Sequence, residues 1–204
     1  MNGPKNNNKA VIAAFDFDGT ITTKDTFIPF LFHSFGIKRV ICVLLRFAPQ
    51  ILRLCFRLEN EDTLKSSIIL ALFKGQPLKL LQNAGNTYSN HLLNCVRPSA
   101  LQRIAWHKSQ GHRLIMVSAS LDVYLQHIAV KLGFDDLLCT RLSCDGDVFS
   151  GKIANGNCRS ENKVKHLVNL IGHLDNYEIY AYGDSDGDKE MLDIADHAKY
   201  RTFN

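Results

Sequence analysis

Two aspartates lie two residues apart in Phe15-Asp16-Phe17-Asp18-Gly19-Thr20, directly after the apolar run Ala10-Val11-Ile12-Ala13-Ala14. A short apolar run bounded by a turn reads as a buried strand. Carboxylates just beyond such a strand sit where open α/β sheets form their ligand crevice. One carboxylate of a pair can attack or hold a cation while the other moves a proton. Side chains two apart on a strand share a face, so Asp16 and Asp18 are expected to reach one crevice. An acidic turn that merely closes a strand has the same local pattern, so the pair needs companions before it means chemistry.

Three further groups qualify. Ser118 follows Leu114-Ile115-Met116-Val117. A hydroxyl there can donate to a phosphate oxygen, and the amides of Ala119 and Ser120 are expected to add donors at a helix N-terminus. An ordinary helix cap by Ser118 or Ser120 fits the same residues. Lys163 and Lys165, in Ser160-Glu161-Asn162-Lys163-Val164-Lys165, are both candidates for the cation that lets a carboxylate approach an anionic substrate. Gly183-Asp184-Ser185-Asp186-Gly187-Asp188 is a second acidic loop after an apolar strand, and alternating aspartates suit a hard divalent cation. An EF-hand needs glycine and glutamate at the sixth and twelfth places. Lys189 and Ala195 stand there instead, so Mg²⁺ held by one or two carboxylates and a substrate phosphate fits better.

The elements that must position these groups follow from pattern. Residues 10–15 read as the first strand. A helical stretch runs from Phe27 to Val96, segmented at Gly36, Pro49, Gly75-Gln76-Pro77 and Gly85 and broken at Arg97-Pro98. Strands and helices then alternate. Helices are expected over Ser99–Gln110, Leu121–Leu132, Asn162–Leu170 and Lys189–Ala195. Strands are expected over His112–Val117, Leu137–Arg141 and Glu178–Tyr182, with a hairpin at Asp145-Gly146. This alternation predicts an α/β fold, a Rossmann-like three-layer sandwich with a mainly parallel sheet. The helical stretch becomes a cap inserted after the first strand. The expected division is a disordered tip over 1–9, a core of 10–22 with 97–204, and a cap over 23–96.

With 204 residues, 46% hydrophobic and 22% charged, the chain fits one ordered core with a small accessory unit. A net charge of +4 is too mild to argue for nucleic acid but suits an anionic substrate. The six cysteines, Cys42, Cys55, Cys95, Cys139, Cys144 and Cys158, form no CxxC pair. They read as reduced thiols of a cytoplasmic protein rather than a zinc site or a disulfide scaffold. The polar start lacks the apolar core of a secretory signal.

In this order, the carboxylate pair, hydroxyl, lysine and acidic loop resemble the four motifs of the haloacid dehalogenase-like (HAD) phosphohydrolase superfamily. The match is carried by Asp16-Phe17-Asp18-Gly19-Thr20, Ser118, Lys163 and Gly183-Asp184-Ser185-Asp186-Gly187-Asp188. The helical cap and the later hairpin look like the phosphoserine-phosphatase-like branch. The resemblance implies Asp16 as a nucleophile forming an aspartyl-phosphate, and Asp18 as the acid and then base. It implies Mg²⁺ on Asp16, the Asp18 carbonyl and Asp184, with Asp188 acting through water and Asp186 less placed. Ser118 and Ala119 would hold the phosphoryl oxygens, and Lys163 would stabilise Asp16 and the transferred group. The substrate would be a small phosphomonoester or a lipid phosphate. A phosphotransferase that uses an alcohol acceptor, and a non-catalytic binding module, share the fold. The cap departs from the phosphoserine phosphatases: Asp25 stands near their glutamate, but no cap arginine aligns.

That cap has its own pattern. Arg39, Arg46, Arg53 and Arg57 are spaced to share one helical face opposite Val43, Leu44, Leu45, Ile51, Leu52 and Leu54. The plain expectation is a solvated face over a buried one. The alternative is peripheral contact with anionic lipid through these arginines. Pro49 is expected to kink or split the helix.

Overall fold

The computed structural model describes residues 9–56, 58 and 60–203. The expected tip therefore lies outside the described residues except for Lys9, as does Arg57.

β1 (Ala10–Phe15) is the middle of a five-stranded parallel sheet. The other strands are β2 (Arg113–Leu121), β3 (Asp136–Thr140), β6 (Tyr177–Gly183) and β7 (His197–Tyr200), in the order β3-β2-β1-β6-β7. Helices cover both faces, so β1 is apolar on both. Ile12 and Ala14 join a cluster with Leu167 and Ile171 of α8 (Glu161–Ile171) and Met191 of α9 (Lys189–Asp193). Ala13 and Phe15 face the opposite cluster, with α6 (Pro98–Ser109) and α7 (Asp122–Leu132). This is the expected three-layer α/β sandwich. The register sets the site: Phe15 pairs with both Met116 and Tyr182. The first residues beyond β1 thus lie level with Val117 and Gly183, and the motif residues come out on one edge.

Two local expectations are corrected. Strand alternation does not explain how Asp16 and Asp18 converge, because β1 ends at Phe15. A tight turn over Phe17–Ile21, with Gly19 at φ 78°, carries Asp18 instead. Ser118 and Ala119 do not lie at a helix N-terminus. β2 continues to Leu121 through an irregularity after Ser118, and α7 begins at Asp122. The residue at its N-cap is Leu121, so Ser118 and Ser120 are not its caps. The sequence reading also missed β7, whose His197-Ala198-Lys199-Tyr200 is a mostly exposed edge strand without an apolar run. The expected hairpin is present as β4 (Leu142–Asp145) and β5 (Val148–Ile153).

Between the turn and α6 lie α1 (Phe27–Phe35), α2 (Ile37–Arg46), α3 (Ala48–Cys55), α4 (Glu61–Phe73) and α5 (Leu78–Leu92). The chain enters and leaves this block through one short pairing. Thr22 bridges Val96, Thr23 N–H donates to Cys95 O at 2.9 Å and Arg97 N–H to Ile21 O at 2.8 Å. The block has no separate interior: Phe30, Phe73 and Tyr88 belong to one apolar cluster with Phe15 and Tyr124.

The helical block brings further corrections. The arginine-bearing stretch is split near Pro49 as expected: the helix breaks at Phe47, and Pro49 sits in the first turn of α3. Arg39 turns back, its guanidinium donating to Leu72 O at 3.1 Å and lying over Phe35. Leu45 and Leu52, expected beneath the basic face, are exposed.

Gly85 does not segment the block but lies inside α5. A Cβ there would overlap the Val123 carbonyl of α7, so the glycine permits close helix packing. Alanine normally stabilises a helix interior by ~1 kcal/mol over glycine. Gly85→Ala should nevertheless lower stability by about 1–3 kcal/mol, the usual range for overpacking. Thermal denaturation checks this, and an unchanged or raised Tm would reject the close-packing account.

Candidate active site

The site grows from one buried ammonium. Lys163, in the first turn of α8, is almost fully buried. Its Nζ donates to Asp16 Oδ1 at 2.6 Å, Asp188 Oδ1 at 2.5 Å and Val117 O at 2.9 Å. Three protons meet three acceptors, which is the condition for burying a charge at tolerable cost. Lys165, the other sequence candidate, is exposed and pairs with Glu161.

Asp188 completes the acidic loop. Its Oδ2 accepts from Asp184 N–H at 3.1 Å, Ser185 N–H at 3.0 Å and Ser185 Oγ at 2.8 Å. The loop thus folds around its last aspartate while Asp186 points to solvent. Thr20 Oγ1 donates to Asp184 Oδ1 at 3.1 Å, which ties the first motif to the fourth. Close approach is possible because two glycines line the seam. A Cβ on Gly19 would overlap the Asp184 carboxylate, and one on Gly183 would overlap Asp188.

Asp18 lies in the same cavity but faces elsewhere. Its Oδ1 accepts from Thr26 N–H at 2.8 Å, and Ser120 Oγ donates to its Oδ2. Ser118 is buried and lines the cavity, its Oγ accepting from Ser120 N–H at 3.1 Å. The carbonyl of Ala119 is used by Lys65 and by Thr140 Oγ1.

Oxygens of Asp16, Asp184 and Asp188 all lie within 4.8 Å of one another. Hard carboxylate oxygens at that spacing fit one divalent cation of the Mg²⁺ type. The Asp18 carboxylate lies outside this group, so any share of Asp18 in metal binding falls to its backbone.

Burial dominates the electrostatics. It pushes the Asp16 carboxyl up to about 7, against the downward pull of Lys163. It pushes Asp18 up to about 6, helped by the nearby charge of Asp25 and opposed by Ser120 and Thr26. Burial would lower Lys163, but Asp16 and Asp188 carry it upward. Burial would raise Asp188, but Lys163 and Ser185 hold it below the ordinary carboxylate range.

The model of the family described as haloacid dehalogenase-like hydrolase matches residues 13–193. Protein CicA of Caulobacter vibrioides is 35% identical over 196 residues, covering 95% of this chain and 86% of that protein. This chain belongs to the haloacid dehalogenase-like hydrolase family. Its fold is shared by a Bordetella pertussis protein, at a TM-score of 0.80 and 17% identity over 94% of this chain and 89% of the other. It is also shared by a substrate-bound phosphoserine phosphatase, at a TM-score of 0.60 and 19% identity over 92% and 83%.

The cavity, about 390 Å³, also contains groups the sequence reading did not find. Glu61, Asp62 and Lys65 come from the first turns of α4. Asn157 and Arg159 come from the segment before α8. Lys65 Nζ donates to Asn157 Oδ1 at 2.8 Å, Asn157 Nδ2 to Asp62, and Arg159 pairs with Glu61. These contacts close the helical block onto the sheet edge. Burial lowers Lys65 to about 8, while Asp18, Asp62 and Asp25 oppose that shift. No local motif marks these residues, because their shared place depends on how α4 docks. Asp25 lines the cavity too, although its Oδ1 accepts from Phe27 N–H at 3.0 Å at the start of α1.

A divalent cation held at Asp16 would need its carboxyl ionised, and burial raises that carboxyl to about 7. Mg²⁺ affinity should therefore fall as pH drops from 7 towards 5, by up to roughly tenfold per unit. Calorimetric titration with Mg²⁺ at several pH values measures this. An affinity independent of pH over that range would reject it.

Proposed function

We propose that this hydrolase is a Mg²⁺-dependent phosphomonoesterase that works through an aspartyl-phosphate on Asp16. The observation that carries the reading is the division of labour between the two aspartates. Asp16 is held by Lys163 beside Asp184 and Asp188. The Asp18 carboxylate is turned out of that cluster into the same cavity, bound to Thr26 and Ser120.

Asp16 and Asp184, with the backbone of Asp18, would hold the cation, and Asp188 steadies the loop beside it through the Asp184 and Ser185 amides. When bound, such a cation would offset the repulsion between carboxylate and phosphate. The Asp16 carboxylate attacks phosphorus, and the bond from phosphorus to the ester oxygen breaks. Asp18 gives that oxygen its proton. A carboxyl raised to about 6 is suited to carry it. In the second step Asp18 takes a proton from water, the water oxygen attacks phosphorus, and Asp16 is released. Lys163 stabilises the negative charge shared by Asp16 and the transferred group. The Ser118 hydroxyl donates to a phosphoryl oxygen, with the adjacent Ala119 amide as a second donor.

The leaving group would meet the remaining lining of the cavity, which includes Asp25, Glu61, Asp62, Lys65 and Arg159. Mixed charges in that volume suit a small polar phosphometabolite. The phosphoserine phosphatase fold supports phosphate ester chemistry.

Release of phosphate from an aryl phosphate with Mg²⁺ tests the assignment. Asp16→Asn should cut turnover by at least about a thousandfold while the fold is kept. Asp18→Asn should slow turnover by about 10²–10⁴-fold, as expected for lost acid–base catalysis. Activity that survives Asp16→Asn would remove the covalent route.

A further inference from the structure

The cap exposes an apolar ridge beside a basic strip. On α2, Ile37, Ile41 and Leu45 recur every four residues and so share one face. Ile37 is 67% and Leu45 68% exposed. Val40 is buried, and Val43 and Leu44 are partly buried. Lys38 and Arg46 lie next along the exposed surface. On α3, Leu52 is 59% exposed, with Arg53 beside it and Phe56 just past the helix end. These side chains are not needed to complete the interior.

The charge of the segment selects an occupant. From Thr26 to Leu58 the chain contains no Asp or Glu, yet it carries Lys38, Arg39, Arg46, Arg53 and Arg57. A second copy packed face to face would bring these basic strips together at a repulsive cost. Apolar side chains bordered by cations, without acids, match the headgroup region of an anionic bilayer. The ridge also leads towards the active site. Leu58 is exposed and lies just before Asn60, which caps α4. The next residues, Glu61 and Asp62, line the catalytic cavity.

We infer that α2 and α3 dock this protein peripherally on anionic lipid bilayers, with Leu45 and Leu52 entering the interface and Arg46 and Arg53 meeting phosphate headgroups. Among the described residues no helix is long and apolar enough to cross a membrane, so this contact lies on the surface. Arg39 contributes less than its sequence position suggests, because it is tied to Leu72.

Co-sedimentation with vesicles tests the inference. The full chain is mixed with phosphatidylcholine vesicles or with vesicles that also contain phosphatidylglycerol. The expected result is at least roughly tenfold stronger partition to the anionic vesicles, weakened by salt. Leu45→Glu with Leu52→Glu should lose that partition by roughly tenfold or more, and so should Arg46→Glu with Arg53→Glu. Circular dichroism and turnover of a soluble aryl phosphate should stay unchanged in both pairs. Equal partition to the two vesicle types would overturn the inference. So would anionic binding that both pairs leave intact. A wild-type dimer, seen by light scattering, that L45E/L52E splits while vesicle binding is absent would assign the ridge to a second copy instead.

Discussion

The buried ammonium of Lys163 is the interaction on which the rest of the site depends. It joins the end of β1 and the middle of β2 to the acidic loop after β6 through Asp16, Val117 O and Asp188. Taking such a charge from water costs several kcal/mol unless its partners are complete. Here they are complete, so each partner is needed by the others. Asp188 then spends its second oxygen on the amides of Asp184 and Ser185. The position of Asp184 therefore follows from a lysine far away in sequence. The same ion cluster keeps three carboxylates close together in a site that otherwise disfavours their charge.

The helical block is coupled to this cluster rather than hung beside it. Asp18 accepts from the Thr26 amide, while Tyr88 donates to Thr26 O at 2.9 Å and Tyr124 meets the Thr26 hydroxyl at 3.1 Å. The Asp18 carboxylate is thus anchored to the start of α1 and to aromatic packing shared with α7. On the other side of the cavity, Lys65, Asp62 and Glu61 reach Asn157, Ala119 and Arg159. Arg159 in turn crowds Gly187 of the acidic loop, where a Cβ would meet its side chain. The lining of the cavity and the fold of the acidic loop share these residues.

Much of the core was legible in the sequence because its signals are local. Apolar runs bounded by turns marked β1, β2 and β6, and alternation with helices implied the parallel sheet. What misled was also local. Gly85 read as a break because glycine usually punctuates helices, while its cause is the Val123 carbonyl on another helix. Ser118 read as a strand end because the apolar run stops there, while β2 continues through an irregularity to Leu121. β7 was missed because an edge strand need bury little.

By itself, the sequence determined which chemical groups this protein carries, their order and the α/β frame that gathers them. These depend on residue type and on spacing over a few positions. Local pattern left Lys163 and Lys165 open until the motif resemblance favoured Lys163, and the tertiary structure shows that Lys163 is buried with Asp16 and that Asp188 folds the loop around itself. It alone brought Lys65 and Arg159 into the cavity and left Leu45 and Leu52 exposed. The reason is physical: burial, pairing and closure depend on partners brought near by packing, and nothing in the neighbouring residues encodes who those partners are.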